Sequence, residues 1–142
     1  MSDLPPRVLG LDWGTKRIGV AATDPLGLMA HPVATIAVVG DDQVIAALKA
    51  IIAEKDITRV VVGLPVNMDG SHGPAAAAAK AFAAFVGERT GLPVETLDER
   101  LTSVDADSRL ADSGMRWPER KKRVDQVAAA LILQAWLEKR RG

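Results

Sequence analysis

The apolar segment Ile57–Leu64 constrains the fold of this chain more than any other feature of its sequence. It reads ITRVVVGL, a continuous β-branched run, which is expected of a strand that is covered on both faces. Aromatic residues make up only 4% of the chain while Ala is used heavily, which favours closely packed helices over a β-sandwich. We therefore predict a sheet with helices on both faces.

Strand and helix patterns follow one another in an order that defines this sheet. Strands are predicted at Arg7–Trp13, at Arg17–Thr23, and at about 28–37, 57–64 and 93–97. Helices are predicted from Asp41 or Asp42 as N-cap, from about 74 to a stop at Gly91, from Thr102 or Ser103 to near Gly114, and from about Arg123 to Lys139. The first three strands form an antiparallel meander, and the alternation that follows implies parallel pairing. We predict a mixed five-stranded α/β sheet in a single domain, 1–142.

Composition and charge exclude several classes of protein. The 142 residues include no Cys, which excludes a disulfide scaffold, a thiolate zinc site and a Cys nucleophile. The N-terminus lacks the apolar core of a signal peptide and no apolar stretch reaches spanning length, so we expect a cytoplasmic protein. Because 18 basic and 18 acidic residues cancel, a nucleic-acid partner has to be inferred from local clusters.

Carboxylates in unusual positions are the candidates for chemistry. Asp12 ends an apolar strand, where an ionised group is costly to bury unless it is paired or bound to a cation. The alternative is an Asx residue that forms a turn. Asp98 and Glu99 end another predicted strand, at the edge where open α/β sheets place their sites. Alternation along that strand does not choose between the two acids, and a solvated acid paired with Arg100 is the competing interpretation.

Asp125 lies near the start of the last predicted helix. The core stripe of that helix is predicted to comprise Val124, Val127, Ala128, Leu131 and Ala135. Asp125 shares its own side of the helix with Ala128, Ala129 and Ile132. A patch of small residues fits a helix packed closely on a sheet, with the carboxylate pointing at the seam. Alternatively, Asp125 complements the positive end of the helix dipole.

Three acids converging from two strand ends and a helix would repel one another unless a cation lay between them. Ligand sets made only of oxygen select Mg²⁺ or Mn²⁺. A pair of such ions held by carboxylates stabilises the entering and the leaving oxygen when water attacks a phosphodiester. The acids therefore indicate metal-dependent cleavage of nucleic acid.

Basic residues favour the same phosphate-rich substrate. A basic loop is predicted over Met115–Lys122, with Trp117 as a stacking face among the cations Arg116, Arg120, Lys121, Lys122 and Arg123. A solvated basic surface is the alternative for this run. Further candidate substrate contacts are Lys16 and Arg17 beside the first acid, Arg100, and Asn67 in a Gly-containing loop.

Four sequence blocks together resemble the YqgF/RuvX family. They are DWGTKRIGVA from Asp12, GLP with NMDGS from Gly63, DERLTS from Asp98, and DQVAAALILQ from Asp125. The blocks lie in the family's order and spacing, and they cover nearly the whole chain. Trp13 occupies a position that varies within the family.

This resemblance implies an RNase H-like fold and a metal-dependent nuclease. It implies that Asp12, Glu99 and Asp125 are catalytic acids that bind Mg²⁺ or Mn²⁺, which selects Glu99 over Asp98. The family description favours processing of pre-16S ribosomal RNA, with resolution of four-way Holliday junctions in DNA as the alternative. Either a monomer or a homodimer is compatible with these activities.

Two other interpretations compete with the nuclease. The Asp-x-Gly-Thr pattern at Asp12 also opens the phosphate-binding domains of actin-like ATPases and sugar kinases. Those proteins need a duplicated domain, and this chain has neither the length nor a second copy of the motif. A non-catalytic RNase H-like binding module would be free to lose its acids, whereas this chain has all three.

Overall fold

The computed structural model describes residues 5–101 and 117–141, with the backbone alone for residues 101, 117–122 and 141. Its strands are β1 (Arg7–Trp13), β2 (Arg17–Thr23), β3 (Ala30–Ala37), β4 (Ile57–Leu64) and β5 (Val94–Asp98). Its helices are α1 (Asp41–Lys55), α2 (Pro74–Thr90) and α3 (Trp117–Arg141), with a 3-10 turn at Glu99–Leu101. The helix predicted between Thr102 and Gly114 lies outside the described residues.

The sheet has the mixed topology that the sequence predicts. Its five strands lie in the order β3-β2-β1-β4-β5. The β1–β2 and β2–β3 pairs are antiparallel, and the β1–β4 and β4–β5 pairs are parallel. The carboxyl ends of β1, β4 and β5 therefore meet at one edge of the sheet. No helix in the described ranges is both long and apolar enough to cross a bilayer.

Helices cover both faces of the sheet, as predicted. Helices α1 and α2 pack on one face, where Leu9, Leu11 and Val60 are buried. Helix α3 packs on the other face, where Val8 and Val61 are buried against its apolar side. Because side chains alternate along a strand, Gly10 and Asp12 of β1 lie on the α3 face with Val8.

The starts of β3 and α1 differ from the predictions. Strand β3 begins at Ala30 because the preceding turn extends further: the Asp24 carboxylate accepts hydrogen bonds from the N–H groups of Leu26, Leu28 and Met29. Helix α1 is capped by Gly40 without a side-chain hydrogen bond, so the N-cap role predicted for Asp41 or Asp42 is wrong. Both acids lie in the first helical turn, where they complement the helix dipole.

The last helix starts earlier than predicted. Helix α3 begins at Trp117, so the loop predicted over Met115–Lys122 is wrong from Trp117 onward. Pro118 is compatible with this start because the first helical turn needs no intrahelical N–H bond. The positions of Arg120, Lys121 and Lys122 are therefore helical, while Arg116 lies outside the described residues.

The buried side of α3 also differs from the predicted stripe. The residues predicted to form that stripe, Val124, Val127, Ala128, Leu131 and Ala135, are only half-buried. The buried residues are Ala129, Ala130, Ile132, Leu133, Trp136 and Leu137. Ala129 and Ile132 follow Asp125 at helical spacings of four and seven, so the side of α3 that carries Asp125 is the side that packs on the sheet.

Glycines on the α3 face allow this helix to approach the sheet closely. A Cβ atom added to Gly10 would lie 2.8 Å from Leu133 Cβ, and one added to Gly19 would overlap the carbonyl oxygen of Asp125. A Cβ atom on Gly63 would overlap Ile132. Any side chain at Gly19 would therefore push α3 away from the sheet at Asp125.

We predict that Gly19→Ala lowers the free energy of unfolding by at least about 2 kcal/mol, because the added methyl group meets backbone atoms that cannot rotate away. Gly87→Ala is the matched control, since a Cβ atom there meets its neighbours at 3.5 Å or more. This control should gain about 0.5 to 1 kcal/mol from the lower entropy of Ala in the unfolded chain. Urea unfolding measures both changes. Equal stabilities of Gly19→Ala and the parent would contradict the close approach.

Candidate active site

Asp12 lies at the carboxyl end of β1 on the α3 face of the sheet. It pairs with Gly19 in the β1–β2 register, and Gly19 is the residue that lies under the Asp125 carbonyl. The Asp12 side chain is half-buried. The segment of α3 at Asp125 therefore lies directly beside this carboxylate, as expected from the small-residue patch around Asp125.

Glu99 reaches the same place from β5. Its neighbour Leu97 is buried on the α3 face of β5, and Glu99 opens the 3-10 turn that follows this strand. A Cβ atom added to Gly63 would lie only 2.6 Å from Glu99 Oε1, so the carboxylate lies above the glycine of the neighbouring strand. The absence of a side chain at Gly63 gives Glu99 its path toward Asp12.

Asp98 points elsewhere and is the acid that pairs with Arg100. Arg100 donates to both oxygens of Asp98, with Nη2 at 2.7 Å from Oδ2, and its backbone N–H donates to Oδ1 at 2.8 Å. These hydrogen bonds lower the pKa of Asp98, with a smaller contribution from the charge of Arg100. Asp98 is thus paired with Arg100, whereas Glu99 contacts Asp12. The alternation of side chains along the strand could not distinguish these two environments.

Asp125 completes the group from α3, but its carboxylate is held by an arginine. Arg17 Nε donates to Asp125 Oδ2 at 2.9 Å, across from β2. The charge of Asp125 is close enough to raise the pKa of Asp12. The structure therefore brings the three predicted acids together, with Asp12 and Glu99 in direct contact and Asp125 beside them.

The electrostatics of this group are those of crowded carboxylates. Burial, the charge of Glu99, a hydrogen bond with Glu99 and the charge of Asp125 raise the pKa of Asp12 to about 7, from an ordinary value of 3.8. Burial also raises the pKa of Glu99, although its hydrogen bond with Asp12 acts in the opposite direction. Asp12 is thus the acid that holds the shared proton, and Glu99 is the acceptor.

The donor set fits a hard divalent cation. Carboxylate oxygens are the ligands that Mg²⁺ and Mn²⁺ prefer, and crowding that raises a pKa is relieved when a cation takes the place of the proton. As the side chains lie, no three His, Cys, Asp or Glu residues within 5–101 and 117–141 are arranged to hold one ion. The engagement of Asp125 with Arg17 accounts for this, because it directs that carboxylate toward β2.

The loop after β4 lies beside Arg100. Asn67, predicted to contact substrate, donates to Ser71 Oγ at 3.0 Å, and Ser71 in turn donates to Asp69. Gly70 adopts a φ of 87°, and a Cβ atom placed there would lie 3.8 Å from Arg100 Nη1. These hydrogen bonds hold the loop in a defined shape next to the end of β5.

The predicted substrate-binding cations lie in different places in the structure. Arg17 and Arg100 lie at the site but are engaged by Asp125 and Asp98, while Lys16 is exposed in the turn between β1 and β2. Arg120, Lys121 and Lys122 belong to the first turns of α3, and their side chains are outside the described set. Arg116 lies outside the described residues. The pairing of Arg17 with Asp125 was not predicted, and no spacing rule would have indicated it.

Comparison with known proteins places this architecture among the RNase H-like folds. RuvC of Thermus thermophilus in complex with a Holliday junction substrate superposes with a TM-score of 0.58 at 17% identity, over 97% of each chain. The fowlpox virus resolvase, solved with Holliday junction DNA, gives a TM-score of 0.58 at 10% identity, over 96% of this chain and 99% of that one. These likenesses establish the fold class.

The sequence itself identifies the family. The model of RuvX, described as Holliday junction resolvase, matches residues 6–139, and the chain belongs to this family. A relative from Lachnospira eligens is 47% identical over 93% of this chain and 96% of its own, and one from Myxococcus xanthus is 44% identical over 95% and 89%. Both carry the name "Putative pre-16S rRNA nuclease".

The raised pKa of Asp12 predicts how stability depends on pH without metal. Between about pH 4 and pH 7 the folded protein holds a proton that the unfolded chain has released, so the free energy of unfolding should fall as the pH rises. Asp12→Asn should flatten this fall and be more stable than the parent above pH 7. Urea unfolding in EDTA at several pH values measures the effect.

Glu54→Gln is the control for that experiment, because Glu54 is an exposed acid of α1. It should keep the pH dependence of the parent. An Asp12→Asn variant that is less stable than the parent at about pH 8 would instead identify Asp12 as a structural turn residue.

Proposed function

We propose that this protein is a metal-dependent endonuclease that hydrolyses phosphodiester bonds in the processing of pre-16S ribosomal RNA in the cytoplasm. The observation that carries the proposal is the group of carboxylates at the carboxyl edge of the sheet, where Glu99 lies above Gly63 and Asp125 lies against the residue that pairs with Asp12. The names of the relatives from Lachnospira eligens and Myxococcus xanthus support the RNA substrate.

In this proposal Asp12, Glu99 and Asp125 hold Mg²⁺ or Mn²⁺ as two ions. When bound, such ions supply an activated water and stabilise the charge that develops on the entering and leaving oxygens. Asp12 and Glu99 become ligands when their shared proton leaves, which the crowding of the carboxylates favours. Arg17 orients Asp125 and is placed to balance its charge in the absence of metal.

Resolution of Holliday junctions is the second candidate, favoured by the description of the matching family model. Both reactions hydrolyse a phosphodiester bond, so the same three acids would serve either. The two activities differ in the shape of the substrate, which the surroundings of the acids must recognise.

Glu99→Gln should reduce cleavage about a thousandfold or more, the order expected for a ligand in a two-metal site. Asp98→Asn is its matched control. Because Asp98 is paired with Arg100, this substitution should reduce cleavage far less than Glu99→Gln does. Single-turnover cleavage of a labelled RNA measures both. Equal losses in the two variants would overturn the assignment of Glu99.

A comparison of substrates tests the proposed function itself. Purified protein is offered a 16S precursor RNA and a synthetic four-way DNA junction, each with Mn²⁺ and with EDTA. We expect Mn²⁺-dependent cleavage of the RNA that EDTA abolishes. Symmetric cleavage of the junction alone would favour the second candidate, and cleavage undiminished by EDTA would exclude the metal site.

A further inference from the structure

Two of the described cations near the candidate site already have carboxylate partners. Arg17 is held by Asp125, and Arg100 makes a bidentate contact with Asp98. Each of these charges is balanced before a substrate arrives. A substrate phosphate would have to compete with a carboxylate for either arginine, so a phosphate contact is better sought among other cations at this edge of the sheet.

Lys80 has a different kind of partner. It lies in the second turn of α2, and its Nζ atom is 2.5 Å from His72 Nδ1. Neither residue belongs to the predicted site. The first turn of α2 contains no acidic residue, and no ion pair among the described side chains involves Lys80. The ammonium group is thus held by a nitrogen acceptor that leaves its charge unbalanced.

This contact determines what the pair can present to a ligand. An ammonium group only donates hydrogen bonds, so His72 Nδ1 is the acceptor and the neutral imidazole carries its hydrogen on Nε2. The pair therefore offers two further N–H groups of Lys80, one N–H group of His72 and one positive charge. Both side chains are exposed. The pair thus presents only hydrogen-bond donors and a positive charge, because its one acceptor, His72 Nδ1, is already used by Lys80. Such a donor set suits the oxygens of a phosphodiester.

The pair lies next to the candidate active site. His72 follows the loop in which Gly70 lies against Arg100, and Arg100 binds the acid adjacent to Glu99. Hydrogen bonds from Asn67 to Ser71 and from Ser71 to Asp69 fix the loop that leads into His72. The distance from the pair to the acids is therefore set by an ordered loop and by α2.

We propose that His72 and Lys80 bind a backbone phosphate of the substrate strand, flanking the phosphodiester that the acids hydrolyse. The proposal rests on the proposed nuclease function and adds to it a contact outside the acid cluster. Its role is to bind and position the nucleic acid, since neither residue lies among the acids.

Binding of a fluorescein-labelled single-stranded oligoribonucleotide, measured by anisotropy in EDTA over a series of salt concentrations, tests this site. Lys80→Gln should weaken binding about threefold to fivefold at moderate salt. It should also lower the slope of log K against log salt by about 0.7, the value of one phosphate contact on a single strand. His72→Leu should weaken binding while leaving the slope unchanged, because it removes a donor and no charge.

Lys49→Gln is the matched control, since Lys49 is exposed on the neighbouring helix α1. It should bind as the parent does, and the melting temperatures of all variants should agree. If Lys80→Gln keeps the slope of the parent, or if Lys49→Gln changes it equally, the site is wrong while nuclease function stands. If the parent itself does not bind the oligonucleotide at low salt, both proposals fail.

Discussion

The close contact between α3 and the sheet at Gly19 is the constraint on which the candidate site depends. The backbone of Asp125 lies against a residue without a side chain, and that residue pairs directly with Asp12. The separation of these two acids is therefore set by backbone packing instead of by flexible side chains. On the other side of β1, the absence of a side chain at Gly63 likewise leaves space for the Glu99 carboxylate. Protein interiors resist changes of even one methyl group, so this geometry is held firmly.

Arginines divide the acids at this edge into two kinds. Asp125 and Asp98 each have a guanidinium partner, and the pKa of Asp98 is lowered by its own. Asp12 and Glu99 have each other, and burial raises the pKa of both. The crowding that destabilises the metal-free fold is thus concentrated on one pair of carboxylates. Carboxylates that destabilise the fold without a bound cation are stabilised most when a cation binds them. Such a cost in stability at a functional site is a common compromise between stability and function.

The sequence was sufficient for the fold and for predicting that Asp12, Glu99 and Asp125 lie close together, but not for their environments. The β-branched run of β4 and the alternation after it correctly predicted a mixed sheet with helices on both faces. The start of α3 was misplaced because the basic run before Arg123 was interpreted as a loop, although Pro118 fits a first helical turn. The pairing of Arg17 with Asp125 could not be predicted, since it joins residues 108 positions apart through the packing of α3 on β2. Glycines in three strands were the available signal for that packing, because glycine inside a strand often marks a close approach.

The parallel topology places the proposed phosphate contact and the proposed catalytic acids at one edge of the molecule. Strands β1, β4 and β5 end there together, so the loop after β4 and the start of α2 lie beside the acids. The segment of α3 that carries Asp125 lies on the opposite face of the sheet at the same edge. In the proposed function, a substrate strand that crosses this edge would pass over the carboxylates. The acids can serve any phosphodiester, so the choice between RNA and branched DNA falls to these flanking elements.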